Sequence, residues 1–377
     1  MKSKLLIFLP SLAGGGAERT IINIMKYLDK SIFSVTLVMI SANIDNYSRH
    51  EYLDEVDSDI KIEYLNSKIS KYSLLKIVNN FVEIINEEKP DLIFSTTLNA
   101  NFISIICANI SKVKCPVIIR ESTNRSQLKT NLFVRLLTRY LYNKANAIVS
   151  LSQGVKKDLQ ESFRVINERN KVIYNPIDVP YINNKKLEPV NDLVKNNKFK
   201  YIITVGRLIE AKDQKTLLKS FKLISKEIKS RLLILGKGPE EQKLRNICEQ
   251  LNIVDQVIFL GFKKNPYKYM NMSDLFILSS KREGFGHVLV EAMAIGIPVV
   301  STNCYSGPSE IITNKNIGRL VEVGDHVALA NEAMQLLKNR DDYNKVSSLA
   351  QKRALEFKAD SIVKKYEKLF LNIIMNR

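Results

Sequence analysis

Glu283 and Glu291, with seven residues between them in EGFGHVLVEAMAIGI (Glu283–Ile297), are the residues best suited to chemistry in this chain. The run opens on a carboxylate and two glycines, Gly284 and Gly286, then turns near His287 into a helix of Val, Leu, Ala, Met and Ile. A helix apolar almost all round is buried on most faces. Glu291 is its only charge, and a buried carboxylate without partners costs several kcal/mol. It must meet a cation in a structural salt bridge, or hydroxyl donors such as the vicinal hydroxyls of a ribose. In the ribose case Gly284, Phe285 and Gly286 offer backbone N–H groups to phosphates.

Three more loops invite the same question. GRLIEAK (Gly206–Lys212) follows an apolar run and opens a helix. Its Arg207 and Lys212 either clamp a pyrophosphate or are ordinary surface charge. GKGPE (Gly236–Glu240) by itself says only that the chain turns. PSLAGGGAER (Pro10–Arg19) puts three glycines before a helix, as a tight turn or as a loop facing phosphate. A dinucleotide fingerprint requires an acid after the second strand, and Ser41-Ala42-Asn43 stands there instead.

These loops need a scaffold, and the pattern of the chain supplies one. Short apolar runs alternate with amphipathic segments: Leu5–Leu9, Val35–Ile40, Lys61–Leu65, Leu92–Ser95, Val117–Ile119, Ala147–Ser150 and Val172–Tyr174 read as strands. After a polar stretch with three prolines (175–200) the alternation restarts at Tyr201–Val205, Leu232–Leu235, Val257–Leu260, Leu275–Leu278, Pro298–Ser301 and Arg319–Val321. Near-continuous Ile, Val and Leu strands imply parallel sheets covered on both faces. The expected architecture is α/β, with two Rossmann-like doubly wound domains facing across a cleft: 1–178, a linker at 179–200, and 201–360. Ligands of such sheets bind beyond the carboxyl ends of the strands.

Composition narrows the class. The 377 residues are 45% hydrophobic and 25% charged, which excludes a disordered tail, a collagen-like fibre and a disulfide scaffold. Cys107, Cys115, Cys248 and Cys304 are too widely spaced for a C-x-x-C site and fit buried thiols in a reducing cytoplasm. Leu92–Ser111 is uncharged for twenty residues, but eight of them are Ser, Thr or Asn, against a membrane span. The start, MKSKLLIFLPSLAGGGAER, resembles a signal peptide less than a buried first strand running into a glycine loop. The net charge of +18 asks for an anionic partner. Neither an aromatic platform nor a recognition helix accompanies it, so nucleic acid is not expected.

Taken together, EGFGHVLVEAMAIGIPVV, VGRLIEAKD (Val205–Asp213) and GGGAER resemble the retaining family 4 glycosyltransferases, in the expected order over nearly the whole chain. The resemblance implies a GT-B fold whose carboxyl-terminal domain holds a nucleotide sugar, UDP-linked by analogy, and whose last helix (361–377) packs back on the first domain. It assigns Arg207 and Lys212 to the diphosphate, Glu283 to the sugar hydroxyls and Glu291 to the ribose. Gly206 and the Gly284, Phe285, Gly286, His287 backbone line the donor, with Gly15 and Gly16 closing from the other domain. Many relatives carry a histidine at the end of the fifth strand, where this chain has Ile119-Arg120-Glu121-Ser122. Glu121 is a candidate on the acceptor side with its role open.

No carboxylate–histidine cluster at metal spacing occurs, so metal-free transfer is expected, with cations and helix N-termini stabilising the departing diphosphate. By analogy the anomeric configuration is retained and the acceptor is a glycan on a lipid carrier, in surface polysaccharide or lipid-linked oligosaccharide synthesis. An epimerase of the same fold, or a non-catalytic partner subunit, is the competing reading. Lys112–Lys144 holds eight basic residues and one acid. Its RSQLKTNLFVRLLTRYLYNK reads as a basic amphipathic helix, either packed with a solvated basic face or lying on an anionic membrane. With a lipid-borne acceptor, the expected location is the cytoplasmic face of the membrane, peripherally bound.

Overall fold

Alternating apolar runs and amphipathic helices condense into two parallel sheets. A computed structural model describes residues 2–40, 50–65 and 74–376. The described chain divides into two units, Met1–Pro176 with Ala359–Arg377, and Ile177–Lys358.

The first unit runs β1 (Ser3–Phe8), α1 (Gly16–Tyr27), β2 (Phe33–Met39), β3 (Lys61–Tyr64), α2 (Leu74–Glu88), β4 (Leu92–Thr96), α3 (Leu98–Ile110), β5 (Val117–Glu121), α4 (Leu132–Tyr142), β6 (Ala147–Ser150), α5 (Gln153–Phe163) and β7 (Asn170–Val172). Its strands are ordered β3-β2-β1-β4-β5-β6-β7, all parallel. Successive strand residues face opposite sides. Leu5, Ile7, Leu92, Phe94 and Ile118 enter one core with α1, while Leu6, Phe8, Ile93, Val117 and Ile119 enter another with α2 and α3.

The second unit runs α6 (Val179–Lys185), β8 (Lys200–Val205), α7 (Gln214–Glu227), β9 (Ser230–Leu235), α8 (Glu241–Gln250), β10 (Val257–Gly261), α9 (Tyr267–Asn271), β11 (Leu275–Leu278), α10 (His287–Ile295), β12 (Val299–Thr302), α11 (Pro308–Ile311), β13 (Arg319–Val321), α12 (His326–Lys338) and α13 (Arg340–Ala354). The order β10-β9-β8-β11-β12-β13 repeats that of the first sheet. In each unit the order reverses between the first strand and the fourth (β1 and β4, β8 and β11), which leaves a crevice at the carboxyl ends of those two strands.

Three sequence expectations gain detail. The uncharged stretch Leu92–Ser111 is a strand, β4, followed by the helix α3, with Thr97 at φ 80° making the turn between them. The prolines of 175–200 do not prevent order: Asp178 caps α6 through its side chain and Pro180 sits in the first turn, where the missing N–H costs nothing. From Ile177 onward that segment belongs to the second unit, with Asn265 donating to the Lys185 carbonyl at 2.8 Å. The final helix, α14 (Ala359–Met375), lies in the first unit, where Ile362, Val363, Tyr366 and Phe370 join the core of Leu5, Ile7 and Phe94. The Phe370 ring stands 5.2 Å from that of Phe94 and 6.2 Å from that of Phe33.

Because Phe370 is wholly buried between two rings, Phe370→Ala should cost about 3–5 kcal/mol. Urea unfolding should show the loss, and a change below about 1 kcal/mol would mean that α14 is not needed for that core.

Candidate active site

At the crevice of the second unit, the loop after β8 meets the loop after β11. Lys212 ends a single 3-10 turn (Glu210–Lys212), and its Nζ lies 2.5 Å from Oε1 of Glu283. The same oxygen accepts from Ser280 Oγ at 2.6 Å. The loops are also joined by backbone: the N–H groups of Lys281 and Arg282 donate to the Ala211 carbonyl at 2.9 and 3.3 Å. Ser306, after β12, donates to the Glu283 carbonyl at 2.8 Å, and Thr302 donates to that of Ser280 at 2.6 Å. Glu283 is therefore a mostly buried carboxylate fixed by three loops and paired with a cation.

Arg207 differs from Lys212. Its guanidinium is exposed, with no hydrogen bond or ion pair among the described residues, while its carbonyl accepts from Gln214 Nε2. Gly206 lies under the Lys212 stem, where an added Cβ would meet Cε at 3.6 Å. The GKGPE turn proves to be part of the same construction. Leu208 donates to the Lys237 carbonyl at 2.9 Å, and Gly236, at φ 140°, passes so close that a Cβ would lie 1.9 Å from the Gly206 oxygen. Only glycine fits there, which the sequence pattern did not reveal.

The helix α10 begins beside Glu283. Gly286 is its N-cap at φ 92°, and no side chain caps the first-turn N–H groups, an arrangement that receives anions. Phe285 turns inward, 2% exposed and edge-on to Phe357, so only its backbone is available to a ligand. Gly307 packs against that backbone, where a Cβ would come within 2.2 Å of the Phe285 oxygen.

Glu291 is mostly buried, 8% exposed. Its Oε1 accepts from the Tyr267 hydroxyl at 2.8 Å and lies 3.4 Å from Nε2 of His287, one turn earlier. The Nδ1 of His287 is buried without a hydrogen-bond partner. Tyr267, on a different helix from Glu291, was missed by sequence reasoning, and nothing in KKNPYKYM marks it.

In the first unit Gly15 is the N-cap of α1 and Gly16 its first residue, at the β1–β4 crevice. Arg19, in the next turn, is spent on a two-pronged ion pair with Glu55. Ser41-Ala42-Asn43 lies outside the described residues. Glu121 is fully buried and its oxygens are engaged. Oε1 accepts from the Ser122 and Thr123 N–H groups at 2.9 and 3.0 Å, and Oε2 from Arg125 Nε at 2.7 Å and the Tyr142 hydroxyl at 2.6 Å. Burial alone would depress Arg125, but the adjacent carboxylate overrides it and holds the guanidinium charged. Burial and the same carboxylate push Tyr142 well above the ordinary phenol range, so it stays a neutral donor. Glu121 organises the loop after β5. All four cysteines are buried and unbridged, and burial pushes the Cys304 thiol, with the Glu283 carboxylate adding to it, up to about 12.

Glu121→Gln removes the counter-charge of a buried guanidinium and should cost about 3–5 kcal/mol without any substrate present. A thermal unfolding scan of the unliganded protein tests this, and an unchanged midpoint would return Glu121 to the list of groups free for chemistry.

The comparisons agree with the geometry. Residues 14–180 match the family described as Glycosyltransferase Family 4, and residues 186–353 match Glycosyl transferases group 1. The chain is 31% identical over 378 residues to the N-acetylgalactosamine-N,N'-diacetylbacillosaminyl-diphospho-undecaprenol 4-alpha-N-acetylgalactosaminyltransferase of Campylobacter jejuni, covering 97% of this chain and 96% of that one. A second Campylobacter jejuni protein, the GalNAc-alpha-(1->4)-GalNAc-alpha-(1->3)-diNAcBac-PP-undecaprenol alpha-1,4-N-acetyl-D-galactosaminyltransferase, is 25% identical over 98% of this chain and 99% of its own. Among solved structures, Anabaena HepE in complex with UDP superposes with a TM-score of 0.82 at 22% identity, over 99% of this chain and 100% of that one.

Proposed function

This chain belongs to the family 4 glycosyltransferases of GT-B fold, and we propose that it moves a hexose or N-acetylhexosamine from a UDP-sugar to a hydroxyl of a lipid-linked glycan, with retention and without a metal ion. The observation that carries the reading is the Lys212–Glu283 pair beside the uncapped start of α10. Lys212 and Arg207 supply cations for the diphosphate, and the first-turn N–H groups of α10 supply the donors a phosphate requires. Glu283, held rigid by three loops, accepts from the sugar hydroxyls. Glu291, beside Tyr267, accepts from the ribose hydroxyls. The orphaned Nδ1 of His287 gains a partner at the same end of the helix.

In this scheme the bond from the anomeric carbon to the diphosphate oxygen breaks. The acceptor oxygen bonds to that carbon on the same face, and its proton passes to the departing phosphate. Charge building on the diphosphate is met by Lys212, Arg207 and the α10 N-terminus. Among the described residues no three His, Cys, Asp or Glu side chains converge as a metal site. The diphospho-undecaprenol substrates named for the two Campylobacter jejuni relatives support the lipid-linked acceptor, and the UDP held by HepE supports the nucleotide.

Glu291→Ala should weaken UDP-sugar binding tenfold to a hundredfold, about 1.4–2.7 kcal/mol, with little loss of melting temperature. Lys212→Met should lower kcat about a hundredfold or more. Calorimetry with a panel of UDP-sugars and NMR of the product test the scheme. An inverted anomeric centre, or activity lost to EDTA and restored by manganese, would replace it.

The acceptor reading places the enzyme at the cytoplasmic membrane face through α4. Thr138, Leu141 and Tyr142 seat that helix, whereas Leu132, Phe133, Leu136 and Tyr140 are 70, 71, 54 and 62% exposed. Arg135, itself exposed, reaches the Ser162 carbonyl at 3.1 Å, and Lys129, Arg139 and Lys144 are exposed with it. No described helix is long and apolar enough to cross a membrane, so α4 would lie in the interface, each basic group adding about 1 kcal/mol. Phe133→Asp with Leu136→Asp should abolish flotation with phosphatidylglycerol vesicles at low salt. Failure of the unmodified protein to float would leave α4 as a structural helix.

A further inference from the structure

We infer that His50 is a positioning residue for the glycine-rich loop: as a neutral imidazole it holds the backbone of that loop, and its protonation releases it. The sequence contains three histidines, and His50 has no part in the motifs or the scheme above. Its Nδ1 accepts a hydrogen bond from the Leu12 N–H at 3.1 Å. This contact belongs to a short clamp. The Tyr52 N–H donates to the Leu12 carbonyl at 3.4 Å, and the Tyr52 hydroxyl donates to the Gly14 carbonyl at 3.2 Å. Glu55 anchors the same segment to α1 through its two-pronged pair with Arg19, whose guanidinium lies 3.9 Å above the Tyr52 ring. Residues 50–55 thus hold both ends of Leu12 and the first glycine of the run, immediately before the α1 N-terminus.

Chemistry makes one of these contacts conditional. An imidazole accepts only through an unprotonated ring nitrogen, and the imidazolium has none. With Nδ1 accepting, the proton of neutral His50 sits on Nε2. When the ring charges, the Leu12 N–H faces a donor and its hydrogen bond is lost. The Tyr64 ring of β3 stands 6.4 Å away between centroids, and the charged groups of the clamp are Glu55 of its own segment and Arg19 of α1, with Glu18 beside Arg19 in sequence. Glu55 is committed to Arg19, while the Glu18 carboxylate lies against Gly15. The consequence for catalysis rests on the reading that Gly15 and Gly16 close on the nucleotide sugar: a released loop binds donor less well. The clamp itself does not depend on that reading.

The test uses the full chain labelled with 15N and three forms of it: unmodified, His50→Asn and His50→Ala. An asparagine oxygen can accept from Leu12 without titrating, and alanine cannot accept. Between pH 7.5 and 5.5, exchange protection of the Leu12 amide, corrected for the intrinsic rate, should fall about tenfold in the unmodified protein. It should stay level in His50→Asn and be low throughout in His50→Ala. The KM for UDP-sugar should rise on acidification in the unmodified enzyme and stay level in His50→Asn. Constant Leu12 protection while the His50 ring nitrogens are seen to titrate would overturn the inference, as would an acid limb in His50→Asn equal to that of the unmodified protein. If no UDP-sugar is turned over, the proposed donor fails but the exchange measurement still decides the role of His50.

Discussion

Both sheets are parallel and covered on both faces, and this constraint governs everything else in the molecule. A strand such as Ile202–Thr204 or Ile93–Ser95 has no solvent side, so it cannot carry an exposed functional group along its length. Chemistry is driven to the carboxyl-end loops, and within those to the place where the strand order reverses. In the second unit that place lies between β8 and β11, and there the loops of Lys212 and Glu283 are joined by backbone, hydroxyl and ion-pair contacts. The pair sits in a setting shielded enough to strengthen its attraction, yet Lys212 retains enough exposure to share its charge with a phosphate. Arg207, five residues earlier, is free of such commitments.

The sheets were legible because their strands are near-continuous Ile, Val and Leu, and each expected strand is present with its ends shifted by no more than two residues. The largest shift is in β7, expected at Val172–Tyr174 and found at Asn170–Val172, where pairing with Ile148–Ser150 sets the register. Glu283 and Glu291 were legible for a different reason: charges standing in apolar or glycine-rich surroundings are conspicuous. What escaped was whatever depends on tertiary neighbours. Tyr267 reaches Glu291 from another helix, Gly236 is required by the carbonyl of Gly206, and His50 reaches Leu12 across thirty-eight residues. None of these has a local pattern to announce it.

Burial also bears on questions that sequence left balanced. The buried carboxylate of α10 could have met a cation or hydroxyls, and a tyrosine hydroxyl and a histidine stand beside it. Glu121 occupies a strand end where relatives often carry a histidine, yet its four hydrogen bonds make it a keystone of the following loop. The contrast with Glu283 is instructive. Both are ion-paired carboxylates near strand ends, but one is sealed among protein donors and the other stands beside an uncapped helix.

The return of α14 to the first unit has a consequence for biosynthesis. A ribosome releases the strands β1 to β7 long before Tyr366 and Phe370, which complete the core lined by Phe94 and Phe33. The second unit is contiguous, Ile177–Lys358, and emerges in between. At about 5–20 residues per second the first unit waits on the order of ten to forty seconds with that core unfilled. The order of completion is therefore the reverse of the order of synthesis. The nascent amino-terminal half is the natural client for a chaperone, and the arrival of α14 sets the moment at which the first sheet is sealed.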